Sequence, residues 1–284
     1  MSTKRLDASW TAWLKENIDR GCNTEELLGI LLRNAFDIDS IRAAMGSHYP
    51  LHSPLALAAE HRAPDPIDHR ALAHPRLTLP QSGAVRFATD KLQLYTLADF
   101  LTAAQCDAIV AIINQHLRPS TVTLETTDQG YRTSRTCDLS LLGSPLVAEL
   151  DERIARTLGI RAAYSEGIQA QRYDVGEEFK QHTDYFEPGT AEYAQYGGAR
   201  GNRTWTFMVY LNDVEAGGGT RFVTLDHAFM PVKGSAVAWN NLNPDGTVNP
   251  DTMHAGMPVT AGHKIIITKW FRERGAGPML YESA

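Results

Sequence analysis

The chain has 284 residues, a formal net charge of −6 and a pI near 5.9. With 43% hydrophobic and 21% charged residues, it is not a disordered polar chain, and its length suits one large domain with a small appendage. An acidic chain is a poor sequence-independent nucleic-acid binder. Three cysteines (22, 106, 137) without a CxxC pair argue against a disulfide framework or a structural zinc site.

The opening residues, MSTKRLDASW, lack the basic-then-apolar layout of a secretory signal. The apolar run from Leu27 to Phe36 is short and contains Arg33. The expectation is a cytoplasmic protein with neither a membrane nor a nucleic-acid partner; nothing in the sequence sets its oligomeric state. Residues 1–48 predict short helices that need a larger body to pack on. Trp10, Trp13, Leu14, Asn17 and Ile18 form a helical stripe with one polar lapse, and the two tryptophans are expected as core anchors. Thr24 is the expected N-cap of a second helix, with Glu25 and Glu26 in its first turn. Asp39 is the expected cap of a third, running to Met45. Residues 49–83 hold six prolines and predict an extended connector. Its histidines (His52, His61, His69, His74) lack the spacing that aims two rings at one ion.

From residue 84 a third region begins, running to 284. Residues 102–117 predict an amphipathic helix capped by Thr102, and Leu146 to Leu158 predict another. After Gly159 the pattern turns strand-like. A few helices followed by many strands imply an α+β fold, with a β-sandwich or barrel braced by helices. No GxSxG, GxxxxGK[ST], GxGxxG or HExxH motif is present, so activated-serine, P-loop, Rossmann and zincin chemistry lose support.

The run Gln171 to Phe186 contains His182-Thr183-Asp184. Residues i and i+2 of an extended backbone share a face, so His182 and Asp184 can grip one ion side by side. His254 offers a third ligand. Two imidazoles and one carboxylate on one face of an octahedron leave open positions, the ligand set of non-haem Fe(II) oxygenases. An HxD alone is common by chance, but Lys264 follows ten residues after His254. It opens an apolar strand on which Ile266, Thr268 and Trp270 share its face, and Ile265, Ile267 and Phe271 take the other. A lysine there is costly to bury without an anion, which the far carboxylate of a 2-oxoacid would supply.

The stretches RYDVGEEFKQHTDYF, TFMVYLNDVEAGGGTRF, AVAWNNL and HAGMPVTAGHKIIITKWFRE, with the looser YRTSRT at 131–136, resemble the prolyl 4-hydroxylase family of Fe(II)/2-oxoglutarate-dependent dioxygenases over about residues 85–275. The resemblance implies a double-stranded β-helix (jelly-roll) core. It implies Fe(II) held by His182, Asp184 and His254, 2-oxoglutarate and O2 as co-substrates, and ascorbate as a further candidate. Lys264 and Tyr173 would contact 2-oxoglutarate, with Thr206 and Thr220 as secondary contacts. Arg203, Trp270 and Phe179 match substrate-side positions. Phe179 and Gly219 depart from the family, where tyrosine and an acidic residue are common. Asp184 keeps its carboxylate, which disfavours halogenation. The implied activity is hydroxylation of an aliphatic C–H, first on a peptidyl residue such as proline, alternatively on a free amino acid or small metabolite. A non-catalytic metal-binding jelly roll is the remaining alternative. Residues 187–203, with four glycines and two tyrosines, are expected as a mobile lid or a plain insertion. His227 and His263 are expected to stay off the metal.

Overall fold

The computed structural model describes residues 4–51, 53–59, 67–120, 128 and 130–281; His52 and His61 lie outside them. It divides into two compact units, residues 1–67 with 274–279 and residues 68–273 with 280–284.

The first unit is helical. Helices α1 (Ala8–Asp19), α2 (Thr24–Arg33), α3 (Ile38–Met45) and α4 (Pro54–Ala59) enclose Leu14, Leu27, Leu28, Leu31, Phe36 and Ile41. Trp10 packs edge-on against Trp13 and Phe36 at 5.3 and 5.1 Å, beside this core. Two caps fall earlier than expected. Asn23, not Thr24, accepts from the Glu25 and Glu26 amides, and Asp37, not Asp39, accepts from Ser40. A cap must keep extended backbone outside the first turn, and Asn23 and Asp37 do.

The stretch 49–83 is not an extended connector, because helix α4 begins at Pro54. Proline is tolerated at the first helical position, where its missing N–H would have no partner. The second unit opens with α5 (His69–Leu72) and 3₁₀ turns at Arg76–Thr78 and Pro80–Ser82. Helix α6 (Ala103–Asn114) starts at Thr102 in a reciprocal capping box with Gln105. Helix α7 (Pro145–Leu158) ends at Gly159, whose φ of +91° suits the left-handed stop.

Among the described residues the strands are, in chain order, β1 (Val85–Arg86), β2 (Leu94–Leu97), β3 (Arg118–Pro119), β4 (Arg135–Asp138), β5 (Gln169–Tyr173), β6 (Phe179–His182), β7 (Arg203–Tyr210), β8 (Ala216–Gly217), β9 (Thr220–Phe222), β10 (His227–Phe229), β11 (Ala236–Asn240), β12 (His254–Gly256), β13 (Val259–Ala261) and β14 (Lys264–Arg272). The large antiparallel sheet runs β1-β2-β11-β7-β14-β5-β4-β3, and a smaller one runs β10-β9-β12-β6. Their inner faces share one core: Leu94, Tyr173, Met208, Tyr210, Val237, Trp239 and Ile266 from the large sheet, with Phe222 from the small one. This is the jelly-roll layout, two sheets packed across an apolar layer. Alternation along β14 sends Lys264, Ile266 and Thr268 inward. Lys269 faces the other way and reaches Asp151 of α7 at 2.6 Å, so the helix braces the outer face. Strand β2, buried beside β11, lies ahead of the region where the sequence pattern turns strand-like.

Candidate metal centre

Strands β6 and β12 pair so that His182 lies opposite His254, and Asp184 follows two residues beyond the end of β6. One ligand atom from each of the three lies within 4.8 Å of the others, the only such group among the described residues. His182 Nε2 is 4.0 Å from Asp184 Oδ1, and His254 Nε2 is 4.0 Å from Oδ2. Each Nδ1 faces a backbone carbonyl, Lys180 O at 2.7 Å for His182 and Thr252 O at 2.9 Å for His254. A carbonyl only accepts, so each Nδ1 carries the proton and each Nε2 presents its lone pair to the centre. Burial, reinforced by His254, pushes His182 down to about 3, which keeps the ring neutral and ready to ligate. Burial opposes the charge on Asp184, yet the adjacent histidines when protonated, with Arg203 and the Thr206 hydroxyl, outweigh it and hold the carboxyl below its usual range.

Two cavities meet at this cluster. The inner one, about 50 Å³, reaches Tyr173, Thr220, Gly256, Lys264 and Thr268. The outer one, about 650 Å³, is bounded by Tyr131, Glu166, Tyr185, Glu187, Glu192, Tyr196 and Arg203 among others. Arg132, Phe179, His182, Asp184 and Trp270 line both. Lys264 is fully buried, and its Nζ has no hydrogen-bond partner among the described residues. It sits 4.3 Å from the Tyr173 ring centroid, and burial pushes it down to about 7. A buried ammonium without a partner is expensive, so its surroundings call for an anion. A Cβ on Gly256 would stand 3.4 Å from that Nζ, and glycine leaves the space open.

The other expected residues divide. Thr220 lines the inner cavity and accepts a 2.8 Å hydrogen bond from Tyr210. Thr206 lines neither cavity; its hydroxyl donates to Asp184 Oδ2 at 2.7 Å. It supports a candidate ligand instead of facing the inner cavity, because β7 carries it behind the carboxylate. Phe179 stacks on His182, centroids 3.6 Å apart. Arg203 lies 4.1 Å over Trp270 and grips Glu166 through two bonds of 2.7 Å. His227 and His263 are outside the cluster. His69 pairs with Glu273.

Sequence reasoning missed Glu166. Burial opposes its ionisation, but Arg203 and Arg272 prevail and hold it at about 2. It carried no local signal, since both partners come from distant strands. Arg272 also donates to Tyr196 O, Gly197 O and Gly201 O at 2.5, 3.2 and 2.7 Å. Arg200 ties down to Ala163 O and Ser165 O. The segment expected as a mobile lid or a plain insertion is thus tied down between Tyr196 and Gly201, and Glu187, Glu192 and Tyr196 put it on the outer cavity. Replacing Glu166 with Gln is expected to cost about 3–5 kcal/mol, because it leaves two buried guanidinium groups uncompensated; urea denaturation measures it. Glu166 ionises more readily folded than unfolded, so its contribution is full above pH 4.5 and is lost as pH falls through about 2. Acid unfolding of Glu166→Gln should lack that part of the pH dependence.

Against known proteins, residues 168–272 match the 2OG-Fe(II) oxygenase superfamily. This region is similar to 2OG-Fe(II) oxygenase domains. Prolyl 4-hydroxylase subunit alpha-1 of Gallus gallus is 32% identical over 190 residues, 66% of this chain and 37% of that protein. The alpha-3 subunit of Mus musculus is 38% identical over 148 residues, 51% of this chain and 27% of that protein. The chain therefore spans about a third of the length of these relatives. The 2OG complex of the viral collagen prolyl hydroxylase from Paramecium Bursaria Chlorella virus-1 is similar in fold (TM-score 0.51, 23% identity, 63% of this chain and 95% of that one). So is a Trichoplax adhaerens prolyl hydroxylase in complex with a hypoxia inducible factor peptide fragment (TM-score 0.50, 13% identity, 72% and 90%). The residues of this region fit the groups in the superfamily name: an imidazole pair with a carboxylate for Fe(II), and a buried ammonium with no hydrogen-bond partner among the described residues for a dicarboxylate.

Proposed function

We propose that the chain is an Fe(II)- and 2-oxoglutarate-dependent hydroxylase of an aliphatic C–H on a peptidyl residue such as proline. The observation that carries this reading is the pairing of the His182, Asp184 and His254 cluster with the partnerless Nζ of Lys264 in the adjoining cavity. His182, Asp184 and His254 would hold Fe(II), and the ligand set leaves positions open for the keto acid and dioxygen. Lys264 would pair with the far carboxylate of 2-oxoglutarate, with Tyr173 beneath it. When bound, the metal and its co-substrates supply the oxidising power, and 2-oxoglutarate, O2 and R–H become succinate, CO2 and R–OH.

The protein's part is position and dryness. Phe179 fixes the His182 ring by stacking. Trp270, held under Arg203, walls the junction of the cavities and steers the substrate carbon. The outer cavity, about 650 Å³ and bounded by three tyrosines, has the size of an ordinary ligand pocket and takes a peptidyl side chain with its flanking backbone as readily as a small metabolite. The peptidyl reading draws on the prolyl 4-hydroxylase relatives. The test supplies Fe(II), 2-oxoglutarate and oxygen with a proline-containing peptide or with free proline. The peptide alone should stimulate succinate release and gain one oxygen by mass. Stimulation by free proline and not by the peptide would move the substrate to a small metabolite.

A further inference from the structure

The three candidate ligands are not held alike. His182 and His254 sit on paired strands, and each ring is fixed by a backbone carbonyl. Asp184 lies beyond the end of β6, where no ladder fixes it. Its side chain is nevertheless buried at 6% exposure and must be tethered by other side chains.

The tether is a directed chain of two hydrogen bonds. Asn241 Nδ2 donates to Thr206 Oγ1 at 2.9 Å, and Thr206 Oγ1 donates to Asp184 Oδ2 at 2.7 Å. A hydroxyl has a single proton. With the Asn241 N–H occupying its lone pair, Thr206 has that proton free for the carboxylate. The reversed amide would take the proton and turn a hydroxyl lone pair toward Asp184, a repulsive contact. Thr206 and Asn241 are both 0% exposed, so water does not compete. The register explains how they meet: Trp239 of β11 lies opposite Thr206 of β7, and Asn241 follows two residues later. Asn241 Oδ1 has no partner among the described residues, a cost borne to keep the donor end on Thr206.

We propose that Thr206, oriented by Asn241, is the positioning residue that sets the rotation of the Asp184 carboxylate and with it the grip of the site on a divalent ion. Supporting hydrogen bonds of this kind are typically worth about 10–100-fold in metal affinity. The inference rests on the metal-centre reading above and adds residues that touch neither ion nor substrate.

The experiment measures Co(II) binding to the full chain by equilibrium dialysis and by the visible spectrum of the bound ion. Wild type and Thr206→Ser, which keeps the hydroxyl, should bind with similar affinity. Thr206→Val, equal in shape but without the donor, should bind about 10–100-fold more weakly with an altered spectrum. Asn241→Ala should shift both readouts the same way by less, and it decides the matter if Thr206→Val does not fold. A purely structural role would lower the melting temperature and leave the Co(II) spectrum unchanged. Wild-type affinity and spectrum in a folded Thr206→Val, or failing that in Asn241→Ala, would overturn the proposal. Failure of wild type to bind Co(II) would overturn the metal-centre reading as well.

Discussion

Alanine at Asp184 is expected to abolish both Fe(II) retention and succinate release, and alanine at His182 to do the same. The reason is the count of ligands. The cluster offers one atom from each of three residues, and an ion held by two has lost a third of its protein donors. Asp184 also supplies the only negative charge in the set. In Asp184→Ala the Thr206 hydroxyl loses its acceptor, so a modest loss of stability of about 1 kcal/mol accompanies the loss of metal. Asp184→Asn separates the two effects, because it retains an acceptor for Thr206 and removes the charge. Iron content after dialysis and succinate yield are the measurements. Normal turnover by either alanine variant would remove that residue from the metal site.

Replacement of Lys264 by Met, similar in length and uncharged, should raise the 2-oxoglutarate requirement at least about 30-fold, as removal of one partner from a buried charged pair costs about 2–5 kcal/mol. The fold should survive, because among the described residues the Lys264 Nζ has no hydrogen-bond partner to lose. Arg203 and Arg272 cannot substitute, since both are engaged by Glu166. A pH dependence follows from the lysine that burial pushes down to about 7. Below that pH the ammonium is already formed. Above it, binding a carboxylate must first take up a proton, so 2-oxoglutarate affinity should fall by up to about tenfold per pH unit. Lys264→Met should lose that dependence. Titration calorimetry at several pH values checks this; identical affinity and pH response in wild type and variant would move the anchor to another residue.

His182 and Asp184 stood out through their i, i+2 spacing, although Asp184 itself stands two residues past the end of β6 and not on a strand. Lys264 was legible because alternation along β14 put a lysine on the core face of an apolar strand. Thr206 shows the limit of the same argument. Alternation gave the face on which it sits, but its depth behind Asp184 depends on how β7 meets the end of β6, and its pairing with Asn241 depends on the register with β11. Glu166 was invisible for a similar reason, as its partners come from the two ends of distant strands. Composition misled twice. The glycines and tyrosines of 187–203 suggested mobility, while a buried arginine 71 residues beyond Gly201 fastens that segment. The prolines of 49–83 suggested an extended chain, while Pro54 starts a helix.

The proposed activity needs one ferrous ion shared by His182, Asp184 and His254, with 2-oxoglutarate anchored at Lys264. Anaerobic addition of Fe(II) and then 2-oxoglutarate, followed by visible absorbance, reads that arrangement directly. Wild type is predicted to develop a charge-transfer band that saturates at one iron per chain, weakens in Lys264→Met and is absent in Asp184→Ala. No band in the wild-type protein, or an undiminished one in Asp184→Ala, would contradict it.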